Sequence, residues 1–292
     1  VSDHDLRYKQ IDPIADELDI TSSNASYNPI VNAENTQKVL TTDRLNAYGT
    51  LKVDFNRYLT LRTSGNFGLQ LVRKNQFFGH GTSSADRGSG PYGDSSYQRF
   101  MKWGVTNQLT YNRVFSKKHK VNATVGHETS YTINESLYGE AKGFATDKLG
   151  IDNFGIGSTP AAVNSSKAET RRLSFFARAF YSFKERYMLT ATVRADASSV
   201  FASKNKWGVF PSFAAAWNIS NESWLSDVAW MSNLKLRAGW GMVGNDRITN
   251  YLSLNVYDPY KYGVGEQQVI VYHPAHIANK NLKWEAAATA NI

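Results

Sequence analysis

The stretch from Arg186 to Trp217 limits what this chain can fold into more than any other. Tyr187, Leu189, Ala191 and Val193 alternate with Met188, Thr190, Thr192 and Arg194. After a polar loop, Val209, Pro211, Phe213, Ala215, Trp217 and Ile219 resume the apolar series. A period of two over this length marks β-strands, because successive side chains point to opposite faces of a sheet. The same alternation predicts strands at 46–56, 58–71, 99–112, 119–131, 171–183, 187–196, 207–219 and 233–243. Weaker patterns lie at 251–257 and 266–272, and a further strand opens near Trp284. One side of each strand is apolar (Leu51, Phe55, Leu61, Trp103, Val125, Phe175, Leu236, Trp240), and the other carries Lys52, Arg62, Gln108, Glu128, Arg178 and Arg237.

The apolar face needs either a protein core or lipid. Soluble strands average about 5–6 residues, whereas tilted membrane strands need about 9–11, closer to the runs seen here. The connections also alternate in length. Those near 57, 113–118 and 184–186 are short, and those at 72–98, 132–170 and 197–206 are long and polar. Transmembrane barrels have this asymmetry, with long loops on the extracellular side. Aromatics gather at the short-turn ends: Phe55 and Tyr58, Phe183 and Tyr187, Trp217 and Trp224. The reading is all-β: residues 1–45 as an irregular lead-in, and 46–292 as part of an antiparallel transmembrane β-barrel of about 10–11 strands. A large soluble β-sandwich or solenoid fits the same alternation. A helical membrane protein does not, since no apolar run approaches the ~18–20 residues a spanning helix needs. The segment 219–232 breaks the alternation; Asn221 is expected to cap a short helix with Trp224, Leu225 and Val228 on one side.

Composition removes other classes. There is no cysteine, so no disulfide framework and no thiolate metal site. The formal charge of +8 is dispersed, and its densest run, Lys117-Lys118-His119-Lys120, reads as a solvated turn rather than a nucleic-acid surface. Gly239-Trp-Gly-Met-Val-Gly244 satisfies G-x-G-x-x-G, but a dinucleotide site needs a helix after the glycines, and Trp240 and Met242 continue a strand. His273-Pro-Ala-His276 has two imidazoles without a neighbouring acid and reads as loop. The glycine-rich span Gly79–Gly93 reads as a mobile external loop. No nucleophile elbow or carboxylate pair appears, so no catalytic residue, metal or cofactor is expected. The chain begins at Val1 without a signal peptide and stops at Ile292 inside a strand pattern, as expected of a piece of a longer protein.

From Leu189 the wording becomes specific. Leu-Thr-Ala-Thr-Val-Arg-Ala-Asp-Ala-Ser-Ser-Val-Phe (189–201), then Lys206-Trp-Gly-Val-Phe-Pro-Ser212 and Ala216-Trp-Asn-Ile-Ser220, closely resembles the SusC/RagA family of TonB-dependent transporters. Leu234-Lys-Leu-Arg-Ala-Gly-Trp-Gly-Met-Val-Gly-Asn-Asp246, Asn250-Tyr251 and Asn281-Leu-Lys-Trp-Glu285 follow in the family's order. Asn28-Pro29 and Arg44-Leu45 resemble its lead-in to the barrel, so the resemblance covers about residues 25 to 292. Its motif residues here are Arg194, Asp196, Phe201, Trp207, Phe210, Pro211, Trp217, Gly244, Asn245, Asp246, Leu282, Trp284 and Glu285, expected as barrel architecture rather than a substrate site. Pro211 is expected to sit in a local bulge.

The resemblance implies a roughly 22-stranded barrel with a plugged lumen, in the outer membrane of a Gram-negative bacterium and surrounded by its lipid. It implies a non-enzymatic importer of oligosaccharides or peptides, energised by TonB through a segment outside this chain and lidded by a SusD-like surface lipoprotein. Loop rings such as Tyr92, Tyr97 and Tyr138 are expected to offer stacking faces to cargo. The chain shows no plug and no recognisable TonB box. A siderophore-type TonB-dependent receptor, or a non-transporting adhesin or scaffold barrel, stand as alternatives.

Overall fold

The computed structural model describes residues 11–12, 17–18, 29–86, 90–225, 232–264 and 267–292. A two-residue pair, β1 (Ile11–Asp12) and β2 (Glu17–Leu18), precedes a short helix α1 (Pro29–Glu34). Then come β3 (Thr36–Asp54), β4 (Leu59–Phe78), a helical turn α2 (Ser83–Asp86), β5 (Tyr92–Phe115), β6 (His119–Lys142) and β7 (Thr159–Phe183). The chain continues through β8 (Tyr187–Ser198), β9 (Trp207–Asn218), β10 (Lys235–Asn245), β11 (Val256–Val264), β12 (Gln267–His276) and β13 (Glu285–Asn291). Nine strands form one sheet in the order β13-β10-β9-β8-β7-β6-β5-β4-β3. Its edge strands, β3 and β13, are not paired with each other, so the barrel is not closed.

Two expectations about the wall are corrected. The patterns at 251–257 and 266–272 belong to a separate two-stranded hairpin, β11–β12, not to the sheet. Pro259 pairs with Tyr272 and Pro274 with Tyr257; proline has no N–H to give a further neighbour, which suits a ribbon in which both strands are edges. The strands are also longer than their alternation. β3 starts at Thr36, inside the expected lead-in, and β4 to β7 run deep into the expected loops at 72–98 and 132–170. These extensions, such as Gly93-Asp94-Ser95-Ser96 in β5, are polar on both faces and leave no apolar period to read. Residues 219–232 begin with a 3₁₀ turn, Ile219–Asn221, so Asn221 ends a turn rather than capping a helix; Val228 lies outside the described residues.

The short turns close tightly. Ser116 (φ 50°) and Lys117 (φ 54°), then Lys184 (φ 50°) and Glu185 (φ 57°), are consecutive left-handed residues. That is the type I′ pattern, whose twist matches the flanking strands. Lys118 N–H bonds Phe115 O at 3.0 Å, and Arg186 N–H bonds Phe183 O at 2.9 Å. In the β3–β4 turn, Asn56 Oδ1 accepts from the N–H groups of Tyr58 and Leu59.

The chain divides into two compact units. The first (Val1–Leu45, Gly68–Met101 and Ile133–Ala168) has a core of Phe77, Ala141 and Phe144, with Ile151 and Phe154 against it. Phe77 and Phe144 meet edge to face at 5.1 Å. His80 Nδ1 lies 2.8 Å from Asp147, whose other oxygen accepts from His80 N–H, and a Cβ on Gly79 would strike the same carboxylate. The described part of Gly79–Gly93 is therefore packed, contrary to the reading of a mobile loop.

The second unit (Asn46–Phe67, Lys102–Thr132 and Glu169–Ile292) is organised by register. Ala179 faces Ala191, which faces Phe213, which faces Trp240, which faces Ala290. One residue along, Arg178 faces Thr192 and then Ser212. The predicted apolar face is thus continuous across five strands, and nothing among the described residues covers it: Leu189 is 56%, Val209 58% and Phe213 57% exposed.

Candidate functional site

Most of the motif residues meet where β8, β9, β10 and β13 approach the long connections. The β9–β10 ladder ends at Ser212–Gly241, just before Pro211, which has no N–H to extend it. The β8–β9 register passes through Pro211–Val193 without a shift, so the expected bulge is absent; the proline sits at a ladder end instead. Beyond it Trp284 lies against β9. Its indole N–H donates to Lys206 O at 2.8 Å, and its ring packs on Phe210 at 5.4 Å and Phe201 at 5.5 Å. Phe201 and Phe210 are buried. Gly208 and Gly244 make room for Phe210: a Cβ on either would land on its ring.

An ionic layer lies beside this aromatic knot. Arg172 donates to both oxygens of Asp246, at 2.7 and 3.0 Å. Arg194 donates to Asp196 at 2.7 Å and Glu128 at 3.3 Å, its guanidinium over the Phe176 ring. Asn245 donates to Glu285 at 2.8 Å. Burial alone would raise the Asp246 carboxyl, but the Arg172 bonds and charge outweigh it and hold its pKa below the usual carboxylate range. Trp207 lies apart on the apolar face, stacked on Phe175 at 6.2 Å. Leu282 is half-buried in the turn before β13.

Trp217 sits at the opposite end of the sheet, in a node that sequence reasoning missed. Glu222 accepts from Tyr187 at 2.7 Å, Arg186 at 2.9 Å and Trp217 at 3.1 Å. The Tyr187 bond first, then those of Trp217 and Arg186, keep its pKa below the ordinary glutamate value. Nothing in a lone glutamate after an irregular Asn-Ile-Ser-Asn turn signals this. Aromatic rings line this end (Phe183–Tyr187 at 6.5 Å, Tyr187–Trp217 at 6.3 Å), and His127, Phe175 and Trp207 line the other.

The tyrosine candidates lie in the first unit and do not form one group. Tyr92 stacks on Phe78 at 4.7 Å, and Tyr138 donates to Glu140. Tyr97 is exposed and alternates with Gln98, which bonds Asn134, onto the face of Arg99, which bonds Glu135. Gly239–Gly244 lies within β10, and the next element is the strand β11, not a helix. His273 and His276 lie in β12 rather than a loop, with His273 against the Tyr260 ring. Among the described residues no acid, His and Cys group could hold a metal ion.

The TonB dependent receptor-like β-barrel family model matches residues 3–292. TonB-dependent receptor P3 of Formosa agariphila is 32% identical over 72% of this chain and 21% of its own length. TonB-dependent receptor SusC of Bacteroides thetaiotaomicron is 42% identical over 41% of this chain and 12% of its own. The RagAB peptide transporter structure superposes with a TM-score of 0.81 at 23% identity, covering 93% of this chain and 30% of that one. The chain spans about a fifth of the curated relatives named here, or less.

Proposed function

The chain belongs to the TonB-dependent receptor-like β-barrel family, and from that premise we propose that it is wall of a SusC/RagA-type outer-membrane importer. Its cargo is oligosaccharide or peptide, its energy comes through TonB, and a SusD-like surface lipoprotein closes it from outside. One observation carries the membrane placement: the apolar face of β7–β10 and β13 is uncovered and edged at both ends by aromatic rings. Phe175 and Phe183 lie eight residues apart on β7, about 27 Å along the strand at ~3.4 Å per residue; at a tilt of about 40° this is a height of roughly 21 Å, slightly under the ~25 Å apolar band of outer-membrane barrels.

The opposite face is wet. Arg178, Lys235 and Arg237 form no ion pair among the described residues, and Thr190, Thr192 and Ser212 lie between them, a lining suited to the hydroxyls, carbonyls and carboxylates of such cargo. Tyr92 and Tyr138 stand as stacking candidates, with Tyr97 showing its ring from the other strand face. The motif knot around Trp284 is read as architecture, because its rings are spent on each other.

The test is mild-detergent affinity purification of the full-length protein from outer membranes. A stoichiometric surface lipoprotein supports the lidded importer. Recovery of the barrel alone favours a lidless receptor or an adhesin, and recovery in the soluble fraction overturns the membrane placement.

A further inference from the structure

Three short turns of the second unit lie side by side at one rim of the sheet. Tyr58 O accepts from Asn112 N–H at 2.8 Å, Lys118 O from Lys184 N–H at 2.7 Å, and Arg186 O from Asn218 N–H at 2.7 Å. These bonds stitch the 55–59 turn to β5, the 115–118 turn to the 183–186 turn, and that turn to β9. The rim carries Arg57, Arg113, Lys117, Lys118 and Lys184, none of them in an ion pair among the described residues. Neighbouring acids are engaged elsewhere: Asp54 by Lys52 and Glu222 by Arg186. Within the three turns themselves the sole acidic residue is Glu185.

The cations are tied to the aromatic row that ends the apolar face. Arg57 and Arg113 each lie 4.7 Å from the Tyr58 ring centre, Arg113 also 4.5 Å from Phe115, and Lys184 5.3 Å from Phe183. A cation over an aromatic face keeps its outer side free for an anion, and long basic side chains at such a boundary lay their stems on apolar surface and raise their charge to the interface. We infer that this rim is a binding site for anionic phospholipid headgroups of the leaflet it meets. The inference rests on the membrane placement proposed above. The partner is lipid rather than a soluble anion because Arg113 and Lys184 sit on Phe115 and Phe183, rings of the uncovered apolar series, where phosphate and acyl chain can be held together, while Arg57 borders the polar cleft of Lys52 and Arg62 behind them.

The test uses full-length protein, native mass spectrometry after delipidation, and added phosphatidylglycerol or phosphatidylcholine. Wild type should retain phosphatidylglycerol about tenfold over phosphatidylcholine, a total difference of about 1.4 kcal/mol. The R57Q/R113Q/K117Q/K118Q/K184Q variant should lose that preference, whereas K117R/K118R/K184R should keep it. Heat-modifiable migration on gels confirms that each variant is folded. An inserted wild type without preference, a preference untouched by the five substitutions, or one abolished by inorganic phosphate overturns the inference alone. A protein recovered only in the soluble fraction overturns the membrane placement as well.

Discussion

Arg172 and Asp246, 74 residues apart in sequence, are joined by two charge-assisted bonds of 2.7 and 3.0 Å. This fork ties β7 to the first residue after β10, where the 246–284 connection leaves the sheet. Asp246 is largely buried while Arg172 is half-exposed, so loss of the arginine strands a carboxylate. R172M is expected to cost about 1–3 kcal/mol, read as a lower denaturation midpoint of the full-length protein in detergent.

The same pair sets a pH dependence. The folded Asp246 pKa is lowered, so its stabilisation is complete above the unfolded value of about 3.9 and is lost as pH falls through the folded value. Unfolding midpoints should be flat in this respect from pH 7 to about 5 and fall below about 4; in R172M that acid-limb loss should shrink.

Gly244 is demanded by Phe210. G244A should be destabilising by about 1–3 kcal/mol through overpacking, and F210L should recover part of that loss in the double variant. The coupling is measured by a double-mutant cycle; additive effects would show that the ring and the glycine are independent.

Glu222 gathers three donors at the other rim. E222Q keeps the shape but leaves Arg186 without its counter-charge. Because the folded Glu222 pKa is lowered, wild type should lose this contribution only as pH falls through that value, whereas E222Q should start less stable at neutral pH and lack this acid-limb component. Trp217 fluorescence reports the change directly, since its indole bonds the same carboxylate.

In the first unit, F144A should open the packing of the 143–158 connection against Phe77, at about 3–5 kcal/mol for a buried phenylalanine. Limited trypsin digestion should then cut at Lys148 far faster than in wild type, while cleavage within the β8–β9 region stays unchanged.

Sequence alone determined the class of this protein and the two faces of its wall. Alternation at Tyr187–Val193 and Val209–Trp217 has one solution, a strand with one apolar side, and the pairings Val193–Pro211 and Leu189–Ala215 put those sides together. The motif order from Leu189 to Glu285 led to the family. What alternation could not reveal was strand length, because paired backbone whose side chains are polar on both faces, as at Asn164–Lys167 in β7, looks like loop. Nor could it show partners far apart in the chain. Only tertiary structure brought Trp284 to Phe201 and Phe210, Arg172 to Asp246, and Glu222 to Tyr187 and Trp217, because such contacts depend on how strands are ordered in the sheet and where each connection returns, and a local period carries neither.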